Sequence, residues 1–126
     1  MGVRESRRII GEYTLTEEYI LTGAEFDDAV AYMTFGADLH TKSNKGQRCF
    51  QVQPYHIPMR ALIPKDYKGI IVAGRCISGS REAMASYRAT GNCAQMGEHA
   101  GYYIAEAIKK NTDVRDIQLH FALTEP

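Results

Sequence analysis

Apolar residues recur along the chain with two periods and one unbroken run, and each predicts an element. The pair Ile9-Ile10, followed by Gly11-Glu12-Tyr13, predicts a short strand. Thr14-Leu15-Thr16-Glu17-Glu18 predicts a helix start. Either Thr16 is the N-cap, with Glu17 and Glu18 in the first turn where the dipole favours negative charge, or Thr14 is, with Glu17 closing a capping box. That helix covers Tyr19, Ile20 and Leu21 and stops at Gly23. Residues 29–35 predict a strand, and residues 41–49 a loop. Residues 55–64 read as extended but broken by Pro58 and Pro64, which suits an edge strand or a crossing between domains. Lys65-Asp66-Tyr67-Lys68-Gly69 predicts a turn.

The second half has a different character. Ile70-Ile71-Val72-Ala73 is continuously apolar, as in a strand of a parallel α/β sheet covered on both faces, and Gly74 ends it. Residues 82–88 predict a short helix and residues 93–110 a long one. In the long helix Cys93, Met96, Gly97, Ala100, Gly101, Ile104 and Ile108 recur at three and four residues. Lys109 and Lys110 suit its C-terminal dipole, and Asn111 suits a left-handed cap. An interior glycine costs a helix about 1 kcal/mol relative to alanine. Gly97 and Gly101 on one face therefore imply close approach to the backbone, by the 70–73 strand or by a cofactor.

Composition narrows the function. The 126 residues hold 15 Lys and Arg against 15 Asp and Glu, for a net charge of zero. This excludes the whole-chain basic footprint of a nucleic-acid binder, and no apolar stretch reaches the length of a membrane span. The polar opening, Met1 to Arg8, has no signal-peptide pattern. Cys49, Cys76 and Cys93 lack CxxC spacing, which predicts neither a disulfide framework nor a metal site.

Five separated elements carry a resemblance. Gly2-Val3-Arg4-Glu5-Ser6-Arg7-Arg8-Ile9-Ile10-Gly11-Glu12-Tyr13-Thr14-Leu15-Thr16 comes first, then Asp38-Leu39-His40, then Tyr55-His56-Ile57-Pro58-Met59-Arg60-Ala61-Leu62-Ile63-Pro64. Ile71-Val72-Ala73-Gly74-Arg75-Cys76-Ile77-Ser78 with Glu82-Ala83, Ser86, Arg88, Cys93, Gly97 and Ala100-Gly101 is the fourth, and residues 113–118 are the fifth. In order and spacing they resemble the C-terminal part of bacterial FAD-dependent oxidoreductases of the glutathione-reductase-like two-domain flavoprotein superfamily. Met59, Arg81, Gly91 and Glu98-His99 depart from the family's usual Tyr, His, Pro and Gln-Ala. The Glu98-His99 swap is expected on the outer face of the long helix. No GxGxxG, the loop that lets backbone approach a dinucleotide pyrophosphate, is present.

The resemblance implies an α/β (α+β mix) C-terminal fragment of a two-domain FAD-binding flavoprotein. Residues 1–66 would end a substrate domain and cross back. Residues 67–110 would be the final strand and helix of a Rossmann-like FAD domain, and residues 111–126 a tail. The partner is then the missing N-terminal FAD-binding portion of the same protein, the fragment is inactive alone, and it self-associates through exposed edges. The flavin ring end would face Gly74, Arg75, Thr90, Gly91, Asn92 and Cys93, because a helix N-terminus there stabilises charge on the flavin pyrimidine. Arg4, Arg7, Arg8, Arg60 and Arg88 could orient a small-molecule anionic substrate; most of such a set is ordinarily solvated, and Arg60 and Arg88, inside apolar stretches, are the expected contacts. His40 is the expected acid, base or substrate ligand, against an equally weighted reading as a hydrogen-bonded structural histidine. Cys76 and Cys93 are expected to be buried rather than redox-active, and His99 and His120 to be at the surface. The competing reading is a small non-enzymatic α+β module that binds an anion or a protein, for which the same site residues form a plain strand–turn–helix corner.

Overall fold

A computed structural model describes residues 5–39 and 48–123. Its elements are α1 (Glu17–Thr22), β1 (Ala29–Met33), β2 (Ala37–Leu39), β3 (Arg48–Phe50), β4 (Tyr55–Pro58), α2 (Arg81–Tyr87) and α3 (Thr90–Lys110). Short 3-10 turns cover Met59–Ala61, Gly74–Cys76 and Val114–Asp116. The mixture of helices with small antiparallel sheets is α+β.

Two two-stranded sheets make up the β structure. β1 pairs antiparallel with β4, placing Ala31 opposite Ile57 and Met33 opposite Tyr55, with an irregularity between Ala29 and Ala31. β2 pairs antiparallel with β3, placing Asp38 opposite Cys49. α3 lies on β1, and α2 lies on β2. Between these layers Leu15, Ile20, Val30, Met33, Tyr55, Ile57, Leu62, Ile77, Met84, Tyr87 and Met96 are fully buried. The core draws on residues from both sides of the turn at 65–69.

The edge of β1 that faces away from β4 is closed by side chains of α3. Gln95 Oε1 accepts from the Tyr32 N–H at 2.9 Å, and His99 Nδ1 bonds the Val30 carbonyl at 2.6 Å. A carbonyl only accepts, so Nδ1 carries the proton. Gln95 and His99 are one helical turn apart, and together they satisfy strand groups that a third strand would otherwise take.

Several expected elements change. α1 is capped at Thr16 and ends at Gly23 with φ 73°, as the pattern implies, but the Thr16 side chain makes no capping bond. Residues 9–10 form no strand, and the local pairing is an isolated bridge between Gly11 and Pro64. β1 ends at Met33, short of residue 35. After Pro58 the extended run tightens into the 3-10 turn Met59–Ala61.

The largest correction concerns residues 70–73, which form no strand of a parallel sheet. The Val72 N–H bonds the Leu62 carbonyl at 2.9 Å, yet Ile70 is 48% exposed and Ile71 to Ala73 are only half-buried. A continuous apolar run specifies burial but not a pairing partner, and here no strand among the described residues pairs with it.

The long helix begins at Thr90, not Cys93, and ends at Asn111 with φ 50°, the expected left-handed cap. It buries Met96, Ala100, Tyr103 and Ala107. Gly97 and Gly101 are exposed, and a Cβ on either would touch nothing within 4 Å, so neither is explained by packing on residues 70–73. Ile104 and Ile108 continue that open stripe at 44% and 73% exposure. His99 departs from the outer face expected of it: it is half-buried and stacks on Phe121 with ring centroids 3.8 Å apart. No helix among the described residues is long and apolar enough to cross a membrane.

Candidate functional site

The N-terminus of α3 meets the Gly74–Cys76 turn, and this junction brings together most of the residues singled out in the sequence. Gly74 is buried with φ 83°, a conformation that glycine enters without strain. A Cβ placed on it would meet Cys93 Sγ at 3.4 Å, so the turn rests directly on the first turn of the helix. Residues 90–93 lie inside that first turn rather than in a loop before it.

The helix end is open electrostatically. Its N-cap is Ala89, which supplies no side-chain acceptor, and no acidic residue stands in the first turn. A helix of this length carries roughly half a positive charge at such an end, together with unpaired N–H groups. Thr90 and Gly91 are exposed there, and a Cβ on Gly91 would meet open space. Asn92 has a buried Nδ2 with no hydrogen-bond partner, a donor left waiting for an acceptor.

A cavity of about 260 Å³ opens beside this end, lined by Phe35, Asp38, Arg75, Ala85, Arg88, Ala89 and Thr90. Arg88 is held in place by its Nη2 donating to the Asp38 carbonyl at 2.7 Å. The rim at Phe35 is fixed from below: the buried Ser86 hydroxyl donates to the Phe35 carbonyl and accepts from Tyr55 at 3.0 Å. Burial also pushes the Tyr55 phenol well above its ordinary range, so the relay stays neutral.

Cys93 is half-buried, and burial pushes its thiol up, with Arg75 pulling weakly the other way. A thiol held protonated is a poor nucleophile, which fits a packing role for Cys93. Cys76 and Cys93 are both free, and no cluster of metal-binding side chains occurs among the described residues.

Arg60 sits elsewhere. It grips Asp28 with Nε and Nη2 at 2.9 and 3.1 Å, lies over the Tyr13 ring at 5.2 Å, and lines a different cavity with Arg115. Its Asp28 hydrogen bonds hold the guanidinium pKa above its ordinary value. His40 lies outside the described residues. Of the other histidines, His56 accepts from the Phe26 N–H at 3.4 Å, and His120 is exposed.

Arg7, one of the five arginines weighed as substrate contacts, lies beside the Gly74–Cys76 turn. It lines a second cavity, of about 470 Å³, with Ser6, Ala73, Arg75 and Cys76. The pairing of residues 5–9 with the Gly74–Cys76 turn, which no local pattern shows, brings it there: the Ile9 N–H bonds the Cys76 carbonyl at 2.9 Å.

Comparison with known proteins places the chain. The model of the FAD dependent oxidoreductase family matches residues 1–124, and the chain belongs to that family. No curated protein and no solved structure matches it. The family implies FAD as cofactor and an oxidoreductase-related role. The open helix end and the orphaned Asn92 donor fit an electron-rich ring system with carbonyl acceptors.

Proposed function

We propose that this chain is the C-terminal part of a two-domain FAD-dependent oxidoreductase of the glutathione-reductase-like type, and that it supplies the protein surface at the flavin ring end. When bound, FAD supplies the hydride and electron chemistry, while the protein orients it and tunes its charge. The observation that carries the reading is the α3 N-terminus, which has no capping side chain and no acid but does have a buried, unpartnered Asn92 Nδ2. Asn92 donates to the pyrimidine edge of the ring. Gly91 leaves room for its close approach, Gly74 seats the turn on Cys93 beneath the helix end, Thr90 lines the cavity, and Arg75 and Arg88 add positive charge.

The rest of the FAD domain comes from an N-terminal portion of the same protein. Two features support this partner. Among the described residues, 71–73 bond the Leu62 carbonyl through the Val72 N–H and the Cys76 thiol through the Ala73 carbonyl but pair with no strand, and the Gly97, Gly101, Ile104, Ile108 stripe of α3 is open beside Ile71. By itself the chain lacks the contacts for the adenine and diphosphate ends, so it is inactive and associates with itself.

The test has two arms. In the full-length protein carrying FAD, Asn92→Asp places a carboxylate against the electron-rich edge and lowers the flavin potential. A coupling of about 1.4 kcal/mol shifts a two-electron potential by roughly 30 mV. Because the new carboxyl can escape by staying protonated, the shift grows as pH rises. Glu98→Gln, on an exposed position of the same helix, leaves the potential within a few tenths of that shift. Spectroelectrochemical titration at two pH values reads the result, and an unchanged potential at the higher pH with FAD still bound overturns the assignment of the helix end. In the second arm the 126-residue chain is titrated with FAD. Stoichiometric submicromolar binding would overturn the division between the two portions.

A further inference from the structure

We infer that the chain pairs with a second copy of itself through the open face of α3, the two helices lying antiparallel about a two-fold axis midway between Tyr102 and Tyr103. This rests on the self-association proposed above and names its surface. Along that face Ala94, Gly97, Gly101, Ile104, Ile108 and Asn111 are all exposed, and they recur at alternating intervals of three and four residues. That spacing is the seam of a helix pair. A second row, Met96, Ala100, Tyr103 and Ala107, carries the packing of α3 on its own fold. The two glycines each cost the helix about 1 kcal/mol relative to alanine, and a Cβ on either would touch nothing within 4 Å. Nothing inside the fold therefore calls for them; a backbone approaching closely from outside does.

The order of small and large residues says what that outside surface is. In the antiparallel register Gly97 faces Ile108 of the second copy, Gly101 faces Ile104, and Ala94 faces Asn111. Every layer then sets one large side chain against one small residue, and the helices lie at one even separation near the short end of the usual 8–10 Å or so. Parallel pairing would put glycine on glycine at one end and isoleucine on isoleucine at the other, and the helices would splay. Ile108, 73% exposed, and Ile104, 44% exposed, supply the apolar area, and a space of about 670 Å³ lined by both and by Ile71 lies open beside them. Charge agrees with the register. Glu98 borders the seam, and Lys109 stands on the same flank of the helix near its other end. Reversing one helix brings Glu98 within about one turn of the second copy's Lys109, twice over by symmetry. Lys109 already donates to Glu106 at 2.7 Å and keeps further donors for a second carboxylate. A seam about 25 Å long buries at most the low end of the roughly 1,200–2,000 Å² of a standard interface, so the dimer is reversible and concentration-dependent.

Sedimentation equilibrium of the 126-residue chain over a wide concentration range tests the interface. Wild type is expected to fit a monomer–dimer equilibrium. Gly101→Leu is the decisive variant. It improves helix propensity and meets open space within its own chain, so it folds at least as well as wild type. It adds apolar surface, yet fills the notch that receives the second copy's Ile104, and is expected to weaken dimerisation about tenfold or more. Non-specific apolar association would instead be strengthened by it. Glu98→Lys is expected to weaken the dimer severalfold at low salt, and adding Lys109→Glu to restore most of the loss. A dimer that Gly101→Leu leaves unchanged or tightens, or open-ended assemblies in place of a dimer, would overturn this interface while leaving self-association standing. A chain that stays monomeric throughout would overturn both, and would leave the α3 stripe to the N-terminal portion. None of these outcomes bears on the flavin potential of Asn92→Asp, which tests the ring-end reading separately.

Discussion

His99 binds the Val30 carbonyl at 2.6 Å from the neighbouring helix, while its ring lies flat against Phe121. One side chain thus ties β1, α3 and the C-terminal tail together. The stack is nearly parallel, at 14° between planes, and the Tyr103 hydroxyl, one turn further on, fastens the same tail through the Leu119 carbonyl at 3.2 Å.

His99→Ala should therefore cost about 2 kcal/mol, because a buried carbonyl left unpaired costs about 1–3 kcal/mol. Losing the aromatic stack adds about 0.5–1.5 kcal/mol where the site does not relax. His99→Gln keeps a donor and should recover part of the loss. Urea unfolding of the three proteins gives the energies, and hydrogen exchange at Tyr32 reports whether the strand edge has opened. A loss below about 0.5 kcal/mol, within the range of ordinary surface substitutions, would mean that the bond has no structural role.

Arg115 closes the opposite end of the tail. Its guanidinium bonds Glu12 through Nε, Asp113 through Nη1, and the carbonyls of Pro64 and Tyr67 through Nη2 at 2.8 and 2.7 Å. Arg115→Lys cannot reproduce this planar, divergent set. Both Arg115→Lys and Arg115→Ala should reduce hydrogen-exchange protection around residues 113–117 by about tenfold, the scale of one charged hydrogen bond. Asp113 supplies a pH dependence. The backbone N–H of Arg115, and then its guanidinium, hold the carboxyl below its ordinary value. A depressed pKa stabilises the fold above the unfolded value of about 3.9, and that contribution disappears as pH falls through the lower folded value. The gap in urea midpoint between wild type and Asp113→Asn should be present at about pH 6 and close by about pH 2. A constant gap would remove Asp113 from the clasp.

Signals that act within a few residues were legible in the sequence; those set by distant partners were not. Gly23 and Asn111 end their helices as expected, because a left-handed stop is a local property. The start of α3 is three residues earlier than expected, since Thr90, Gly91 and Asn92 read as loop residues and only the packing of the first turn on Gly74 shows otherwise. Periodicity correctly marked an apolar band on α3 but not which of its two adjacent rows is buried. Met96, Ala100, Tyr103 and Ala107 go inside, leaving Gly97, Gly101, Ile104 and Ile108 open. β2 and β3 escaped notice because each has three residues and their pairing joins positions on either side of residues 40–47. For the candidate site, the structure brings Gly74 against Cys93, two positions that the family pattern had marked together. The place of Arg7 beside Arg75 was not legible, because the pairing of Ile9 with Cys76 joins positions about half the chain apart.

Gly74 gives the sharpest check on that junction. Its φ of 83° is one that a side-chain-bearing residue enters at a cost of about 1–2 kcal/mol. The added methyl of Gly74→Ala would lie 3.4 Å from Cys93 Sγ and 3.7 Å from its Cβ, close to ordinary contact. Backbone strain, not collision, should then dominate the loss. If so, trimming Cys93 to alanine does not rescue Gly74→Ala, and the double-mutant cycle is additive to about 0.5 kcal/mol. Denaturation of the single and double variants separates the cases. Strong rescue by Cys93→Ala would locate the cost in the contact rather than in the backbone.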